Sequence, residues 1–247
     1  MENKTSKNYM LPVFAAILAI GFIVSSYIVV NGFVSIKNKQ NTVTITGSAK
    51  KQFKSDFVVW RGTYTAQAKQ LAASYASLKS ETIKVRDYLT KKGISTKDMV
   101  FSSIASIPNY EMLPNGQMSS NIESYRLMQT VEISSKDVDK ITDISRQSTE
   151  LINQGIDFQS NQPEYFFTKI ADLKIDMLSL ATKDAMTRAE QIAKATGSSI
   201  GTLRSAKMGV FQITPLYSTD VSDSGIYSTS SIDKEITAVM TCDFEIK

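Results

Sequence analysis

The sequence contains no histidine and only one cysteine, Cys242. A Ser-His-Asp triad, a Cys-His pair and a histidine-ligated zinc site are therefore excluded. A single thiol cannot form a disulfide within the chain, nor can it make a thiolate metal site alone. We predict no catalytic residue, no cofactor-binding residue, no metal ligand and no cofactor, and we expect the protein not to be an enzyme.

A strongly basic domain is also absent, although the formal net charge is +4. Residues 1–54 hold seven lysines and one glutamate, which leaves residues 55–247 with a net charge of −2. This near-neutral remainder lacks the basic surface that nucleic-acid binding requires, so we predict no nucleic-acid partner. The basic character lies next to the longest apolar run, where lysines can meet anionic lipid headgroups.

The longest apolar run is residues 10–34, which contain no charged side chain. It exceeds the roughly 20 residues that cross a bilayer core and the roughly 7–15 apolar residues of a signal peptide. A core helix of a globular domain would be expected to have a polar face, and no polar face interrupts this run. We predict a tail over residues 1–9, a single-pass transmembrane anchor over 10–34 that contacts membrane lipid, a linker over 35–41 and a folded domain over 42–247.

The orientation of this anchor is ambiguous in the charges. Lys4 and Lys7 precede the run, whereas Lys37, Lys39, Lys50, Lys51 and Lys54 follow it. The positive-inside rule would keep the C-terminal side in the cytoplasm, but long domains translocate largely regardless of charge.

Apolar periodicity predicts an α+β domain with antiparallel sheets, packed helices and the order β-β-α-β-β-α-β-α-β-β. A short strand ends where Gly47 bends the chain into a lysine-rich turn, and a second strand buries Trp60. Helices are predicted over residues 69–92, from an N-cap at Ser134 or Ser135 to Gly155, and over 169–196. Their predicted buried faces are Leu71, Tyr75, Leu78, Val85 and Leu89; Val138, Ile141, Ile144 and Ile152; and Ile170, Leu173, Met177, Ala181, Ala185, Ala189 and Ile192.

Five further strands complete the sheets, and one of them is the short segment "IDFQS". The segment "KDMVFSSIASIPNY" is predicted to pair in antiparallel fashion with residues 125–133 across the turn "LPNGQ". A strand over 203–213 precedes a polar loop, and the last strand alternates strictly from Ile236 to Ile246. The alternation places Cys242 on the apolar face, where we expect a buried and unreactive thiol.

Carboxylates do not form a recognisable metal motif. Asp220, Asp223 and Asp233 lie in or beside the polar loop without the dense spacing of a calcium loop, and we interpret them as solvated. Asp137, Asp139 and Asp143 are interpreted as charges at the start and on the surface of a helix.

The segments "VTITGSA", "YRLMQTVEISSKDVDKITDI", "INQGIDF", "ATKDAMTRAEQIAKATGSSIG" and "SIDKEITAVMTCDFEIK" occur in an order that resembles the SIMPL-domain (DUF541) family, over residues 42–246. The resemblance implies an exported or envelope-anchored α+β domain that forms large homo-oligomers and is linked to oxidative-stress tolerance. It implies no enzymatic activity and supplies no catalytic residues. It is also the reason why we expect the domain outside the cytoplasm, against the lysine count.

Three function classes follow. We favour a non-enzymatic, membrane-anchored, homo-oligomeric scaffold linked to envelope or oxidative stress. In it, the terminal strand 236–247 would be weakly protected against association if it lies at a sheet edge. The alternatives are an envelope protein that binds a small ligand in a closed apolar pocket, and a hydrolase that uses Ser/Lys or carboxylate chemistry in one cleft.

Overall fold

The computed structural model describes residues 10–38 and 42–247. In chain order the elements are α1 (Met10–Asn38), β1 (Thr42–Lys54), β2 (Phe57–Ala68), α2 (Leu71–Lys91), β3 (Met99–Phe101), β4 (Ala105–Met112), β5 (Met118–Ser135), α3 (Val138–Gln147), β6 (Asp157–Ser160), β7 (Glu164–Phe166), α4 (Ile170–Ala195), β8 (Ile200–Met208), β9 (Gln212–Pro215), β10 (Ile226–Tyr227) and β11 (Asp233–Ile246). The predicted α+β class with antiparallel sheets is confirmed; within the described chain, β9 and β10 form a parallel pair.

Helix α1 contains an apolar stretch, Val13–Asn31, with a mean hydropathy of 2.6. By length and composition it is sufficient to cross a membrane, a property that signal sequences near an N-terminus share. The helix continues to Asn38, so residues 35–38 of the predicted linker are helical. The predicted tail 1–9 and the end of the linker, residues 39–41, lie outside the described residues.

The chain divides into two compact units. The first contains Met1–Ser48, Leu180–Gly209 and Val239–Lys247, and the second contains Ala49–Ser179 and Val210–Ala238. Strands β1 and β11 and helix α4 therefore each contribute residues to both units.

In the first unit, β11 lies between β1 and β8. Met240 pairs with Met208 and Ile246 with Ile200 in the antiparallel β8–β11 ladder. On the other side of β11, the Thr44 hydroxyl donates a hydrogen bond of 2.6 Å to Asp243. The terminal strand does not lie at a sheet edge, which was the condition for association through it: β11 is an interior strand, because a partner occupies each side.

Gly47 does not bend the chain. Strand β1 continues through it and through the following lysines to Lys54. A Cβ atom at Gly47 would lie 2.3 Å from the Ala181 carbonyl oxygen and 2.3 Å from the Ala185 nitrogen. The glycine is needed because the α4 backbone packs directly against β1 at this point.

In the second unit, β5 is the central strand of a sheet. Residues 58–68 of β2 pair with residues 125–135 on one side of it, and β3 and β4 pair with its other side. Strands β6 and β7 extend the sheet beyond β2. The predicted core residue Trp60 is fully buried and its Nε1 donates to the Ser160 hydroxyl over 3.0 Å.

The predicted helices are present, but parts of their buried faces are wrong. Leu71 and Tyr75 are exposed on α2, where Ser74 is buried instead and donates a hydrogen bond to the Tyr125 carbonyl. After α3 the chain tightens into a 3-10 turn, Ser148–Gln154, and the shorter period buries Leu151 and exposes Ile152. On α4 the last apolar position of the face is Ala193, and Ile192 is exposed.

Local signals account for most helix ends. Gly93 and Gly155 adopt left-handed backbone conformations where helical segments end, as predicted. The N-cap of α3 is Asp137, whose carboxylate accepts a hydrogen bond from the Lys140 amide, and not Ser134 or Ser135. The segment predicted as one strand over 203–213 is two strands, β8 and β9, separated at Gly209.

Candidate interaction surface

A two-stranded ribbon projects from the sheet of the second unit. Strand β2 pairs with β5 only as far as Tyr125, so residues 118–124 of β5 pair with β4 alone. We call residues 105–124 the β4–β5 ribbon. Its outer part, residues 109–124, is two-stranded, whereas residues 105–108 pair with the part of β5 that also pairs with β2. An isolated two-stranded ribbon has little stability of its own and exposes unpaired backbone edges, which normally require cover or protection.

The turn at the end of the ribbon is closely hydrogen-bonded. The Leu113 amide donates to the Gln117 carbonyl and the Gly116 amide donates to the Leu113 carbonyl, both over 2.9 Å. The Asn115 side chain accepts from the Gln117 amide, and Gly116 adopts φ +78°, which favours glycine. The predicted turn "LPNGQ" therefore holds the ribbon tip in one conformation.

Large apolar side chains cover this ribbon without burying themselves. Met112 and Met118, paired across the ribbon, are 68% and 72% exposed. The other exposed apolar residues of the ribbon are Ile107, Tyr110, Leu113 and Ile122. Exposed apolar side chains grouped in this way are typical of interaction surfaces.

The charge of the ribbon has one sign. Glu111 and Glu123 are its charged residues, and it contains no lysine or arginine. Charged edges and lysines are the usual protection of an exposed strand edge, so the ribbon is weakly protected against association.

A second feature, in the first unit, is an open groove of about 520 Å³ between β1 and α4. We call it the β1–α4 groove; its lining residues are Thr44, Ile45, Thr46, Thr187, Arg188, Gln191 and Ile192. The exposed Ile192, which the sequence pattern had placed in the core, forms part of this wall.

The lysines of β1 that follow α1 in the sequence form ion pairs with carboxylates of the second unit. Lys50 Nζ lies 3.1 Å from Glu235, Lys51 Nζ lies 3.9 Å from Asp176, and Lys54 Nζ lies 3.6 Å from Asp139. These pairs are solvent-exposed and contribute at most about 1 kcal/mol each. They do, however, neutralise part of the charge that was predicted to contact lipid headgroups.

The residues considered for chemistry in the sequence are not brought together. Cys242 is fully buried, and burial and the charge of Asp243 raise the pKa of its thiol. Asp220, Asp223 and Asp233 are exposed. Among the described residues no three His, Cys, Asp or Glu side chains form a group that could hold a metal ion.

Sequence reasoning missed a buried lysine. Lys234 is 1% exposed, its Nζ donates to the Tyr165 carbonyl oxygen, and burial lowers its pKa to about 8. The nearby Ser55 amide donates to the Ile232 carbonyl, but the buried Ser55 hydroxyl has no hydrogen-bond partner within the described chain. The two side chains are therefore not hydrogen-bonded to each other, as a Ser/Lys catalytic pair would be. The signal was in the sequence: Lys234 is in phase with Ile236 on the alternating strand.

These features define an α+β protein with one long apolar helix near its N-terminus and a ribbon whose apolar side chains are exposed. Within that class, the chain belongs to the SIMPL family, whose model is described as "Protein of unknown function (DUF541)" and matches residues 43–243. The chain is also 22% identical over 176 residues to "Uncharacterized protein YggE" of Edwardsiella ictaluri (strain 93-146), which covers 70% of each chain. The family match begins after α1.

Proposed function

We propose that this protein is a non-enzymatic, membrane-anchored member of the SIMPL family that acts as a homo-oligomeric scaffold outside the cytoplasm. The observation that carries self-association is the β4–β5 ribbon, where Met112 and Met118 are 68% and 72% exposed on a segment in which β4 and β5 pair only with each other. Helix α1 supports the anchor by its length and its mean hydropathy of 2.6. The extracytoplasmic location and the link to envelope or oxidative stress rest on the family resemblance.

Tethering strengthens this proposal physically. Copies that share one membrane surface meet at a higher effective concentration than free domains, so a modest apolar contact is sufficient for assembly. Self-association also explains why an apolar ribbon is tolerated on the surface, because neighbouring copies would cover it.

The test is the mass of the full chain. Membranes are first washed with alkaline carbonate, which should leave the protein in the pellet. The protein is then extracted in mild detergent, and light scattering with the detergent contribution subtracted should give a mass several times 27.3 kDa. A 27.3 kDa species over the whole accessible concentration range would contradict the scaffold, and release by carbonate would contradict the anchor.

A matched pair of variants connects this mass to the ribbon. Met118→Asp should lower the mass, because it places a charge at the most exposed apolar position of the ribbon. Ile83→Asp changes a side chain that is 54% exposed on α2 and should leave the mass unchanged. Equal effects of the two substitutions would show that exposed apolar area in general, and not the ribbon, drives association.

A small-ligand-binding function has one supporting observation. The β1–α4 groove, at about 520 Å³, is within the 300–1,000 Å³ range of ligand sites. Native mass spectrometry of the chain, extracted without added ligand, should then show a bound small molecule that Ile192→Asp removes.

A further inference from the structure

We infer that the tip of the β4–β5 ribbon of one copy docks in the β1–α4 groove of another copy. This inference rests on the proposed self-association and specifies its two contact surfaces. The two surfaces are different, so copies can join head to tail, with the ribbon of each copy in the groove of the next.

The ribbon provides a preordered apolar tip. Met112, Leu113 and Met118 flank the turn and are all exposed. Two backbone hydrogen bonds of 2.9 Å close that turn, so little conformational freedom is left to lose when the tip binds. Methionine side chains are flexible and polarisable, and they adapt to an irregular apolar cleft.

The groove provides a matching acceptor. Ile45 and Ile192 form its apolar surface, and threonine side chains and the Gln191 amide supply polar groups around it. With about 520 Å³ of space, it is large enough to take several side chains of the tip.

The backbone around the groove also favours an incoming strand. In the first unit, β11 covers one side of β1, and no described strand pairs with the other side of β1. An open strand edge next to an apolar groove is the arrangement used in β-strand addition, in which main-chain hydrogen bonds supply affinity and side-chain pockets supply specificity. The two-stranded ribbon carries such an edge on β4.

The charges of the two surfaces are complementary. The ribbon carries Glu111 and Glu123 and no basic residue. Residues 183–194 of α4 carry three basic and two acidic side chains, and Arg188 lies in the groove lining. Its guanidinium is 2.8 Å from Asp184 and its side chain is 55% exposed, so it remains accessible to a second carboxylate. Complementary rim charges of this kind favour contact between ribbon and groove over contact between two ribbons, where like charges would meet.

Head-to-tail contact has a structural consequence. A copy that docks its ribbon in one neighbour and receives the ribbon of another extends the assembly to a ring or a filament. Two copies that exchange ribbons reciprocally would instead close as a dimer.

Cysteine cross-linking in the native membrane tests the inference on the full chain. Cys242→Ala removes the buried native thiol, and two differently tagged chains are coexpressed, one with Met118→Cys and one with Ile192→Cys. A short bis-maleimide should cross-link the two introduced cysteines and so give a product that carries both tags. The control pair combines Met118→Cys with Tyr217→Cys, a side chain that is 90% exposed and outside the groove, and should give at least tenfold less product.

Three outcomes would overturn the inference. Products between two Met118→Cys chains, without products to Ile192→Cys, would show ribbon-to-ribbon pairing. Lack of any product, together with shielding of Met118→Cys from a water-soluble maleimide in a protein diluted to monomers in vesicles, would assign the ribbon to the lipid surface. Lack of both product and shielding would show that the ribbon binds neither the β1–α4 groove of another copy nor the lipid surface.

A parallel measurement separates failure of this contact from failure of the proposed function. The same membranes are treated with an amine cross-linker that does not depend on the introduced cysteines. Large adducts with no Met118–Ile192 product would overturn the ribbon-to-groove contact and leave self-association in place. Lack of adducts would overturn both.

Complementation gives an independent readout. Met118→Asp disables the ribbon but leaves its groove intact, and Ile192→Asp does the reverse. Each variant alone should be monomeric in detergent, whereas a mixture should form a dimer and nothing larger, because one working contact remains. A mixture that stays monomeric, or single variants that still assemble, would contradict the inference.

Discussion

The Nζ atom of Lys234 on β11 donates a hydrogen bond to the carbonyl oxygen of Tyr165 on β7, and the lysine side chain is 1% exposed. No ion pair of Lys234 is found among the described residues. A buried ammonium with a carbonyl acceptor and no carboxylate is poorly compensated for the loss of its hydration, and its pKa falls accordingly to about 8. Lys234 is therefore a destabilising element of the second unit whenever it is protonated.

The first prediction concerns pH. The folded protein releases the Lys234 proton near pH 8, whereas the unfolded chain holds it up to the usual lysine pKa of 10.5. Between these values the unfolded state binds more protons, so the free energy of unfolding rises with pH, by at most about 1.4 kcal/mol per pH unit for one proton. The stability that the folded protein gains when Lys234 loses its proton is complete above pH 10.5 and is lost as the pH falls through 8.

Lys234→Met should remove that pH dependence, because methionine fills similar space without a charge. Thermal unfolding can be followed by the fluorescence of Trp60 between pH 7.5 and 9.5. The variant should be at least as stable as the wild type at pH 7.5, and the stability difference between the two proteins should be smaller at pH 9.5. Lys50→Met, at a side chain that is 65% exposed, is the control and should leave the wild-type slope unchanged. A variant that is less stable by the same amount at every pH would show that the hydrogen bond to Tyr165 outweighs the charge.

The second prediction concerns the contact between Gly47 and α4. Gly47→Ala should destabilise the protein by about 3 kcal/mol, because the new methyl group would lie 2.3 Å from backbone atoms of Ala181 and Ala185 that cannot move independently. Gly209→Ala is the graded control, since its Cβ atom would meet the Val239 carbonyl oxygen at 3.3 Å. Urea unfolding followed by circular dichroism should rank the two variants in this order, and equal effects would contradict the close-packing explanation.

The sequence was sufficient for β11 and for the middle of α4, where a single period governs the buried positions. Strand β11 alternates strictly, and Ile236, Ala238, Met240, Cys242 and Phe244 are all buried as predicted. The α4 face from Leu173 to Ala189 is buried for the same reason, since one side of the helix is apolar over many turns.

The rest depended on contacts between distant residues. Gly47 is consistent with a turn in isolation, and only the approach of α4 reveals why it is glycine. The error at Ile152 has a local cause, because a change from an α to a 3-10 period shifts the buried position by one residue. The ribbon was the hardest to predict. Its turn was predicted, but the predicted strands ended near Pro108 and resumed only at Tyr125, whereas β4 continues to Met112 and β5 begins at Met118. The point at which β2 stops pairing, and hence the exposed face, is a tertiary property.

The third prediction concerns Cys242. Cys242→Ala should lower the free energy of unfolding by about 1 kcal/mol or less and should not change any response to oxidants, because the thiol is fully buried and its pKa is raised by burial. A bulky maleimide should label the native protein only after denaturant is added. Rapid labelling of the folded wild type would show that the interior of β11 opens readily.

The last prediction concerns which side of the membrane carries the folded domain. Tyr217 is 90% exposed in the polar loop between β9 and β10, so a cysteine there reacts with any maleimide that reaches its compartment. In a Cys242→Ala background, Tyr217→Cys should be labelled by a membrane-impermeant maleimide in intact spheroplasts. Ser6→Cys, on the other side of the apolar run, should be labelled only after permeabilisation. The reverse pattern would place the domain in the cytoplasm, as the five lysines between residues 37 and 54 favour by the positive-inside rule. The expected pattern would instead show that a long folded domain was translocated against that charge bias.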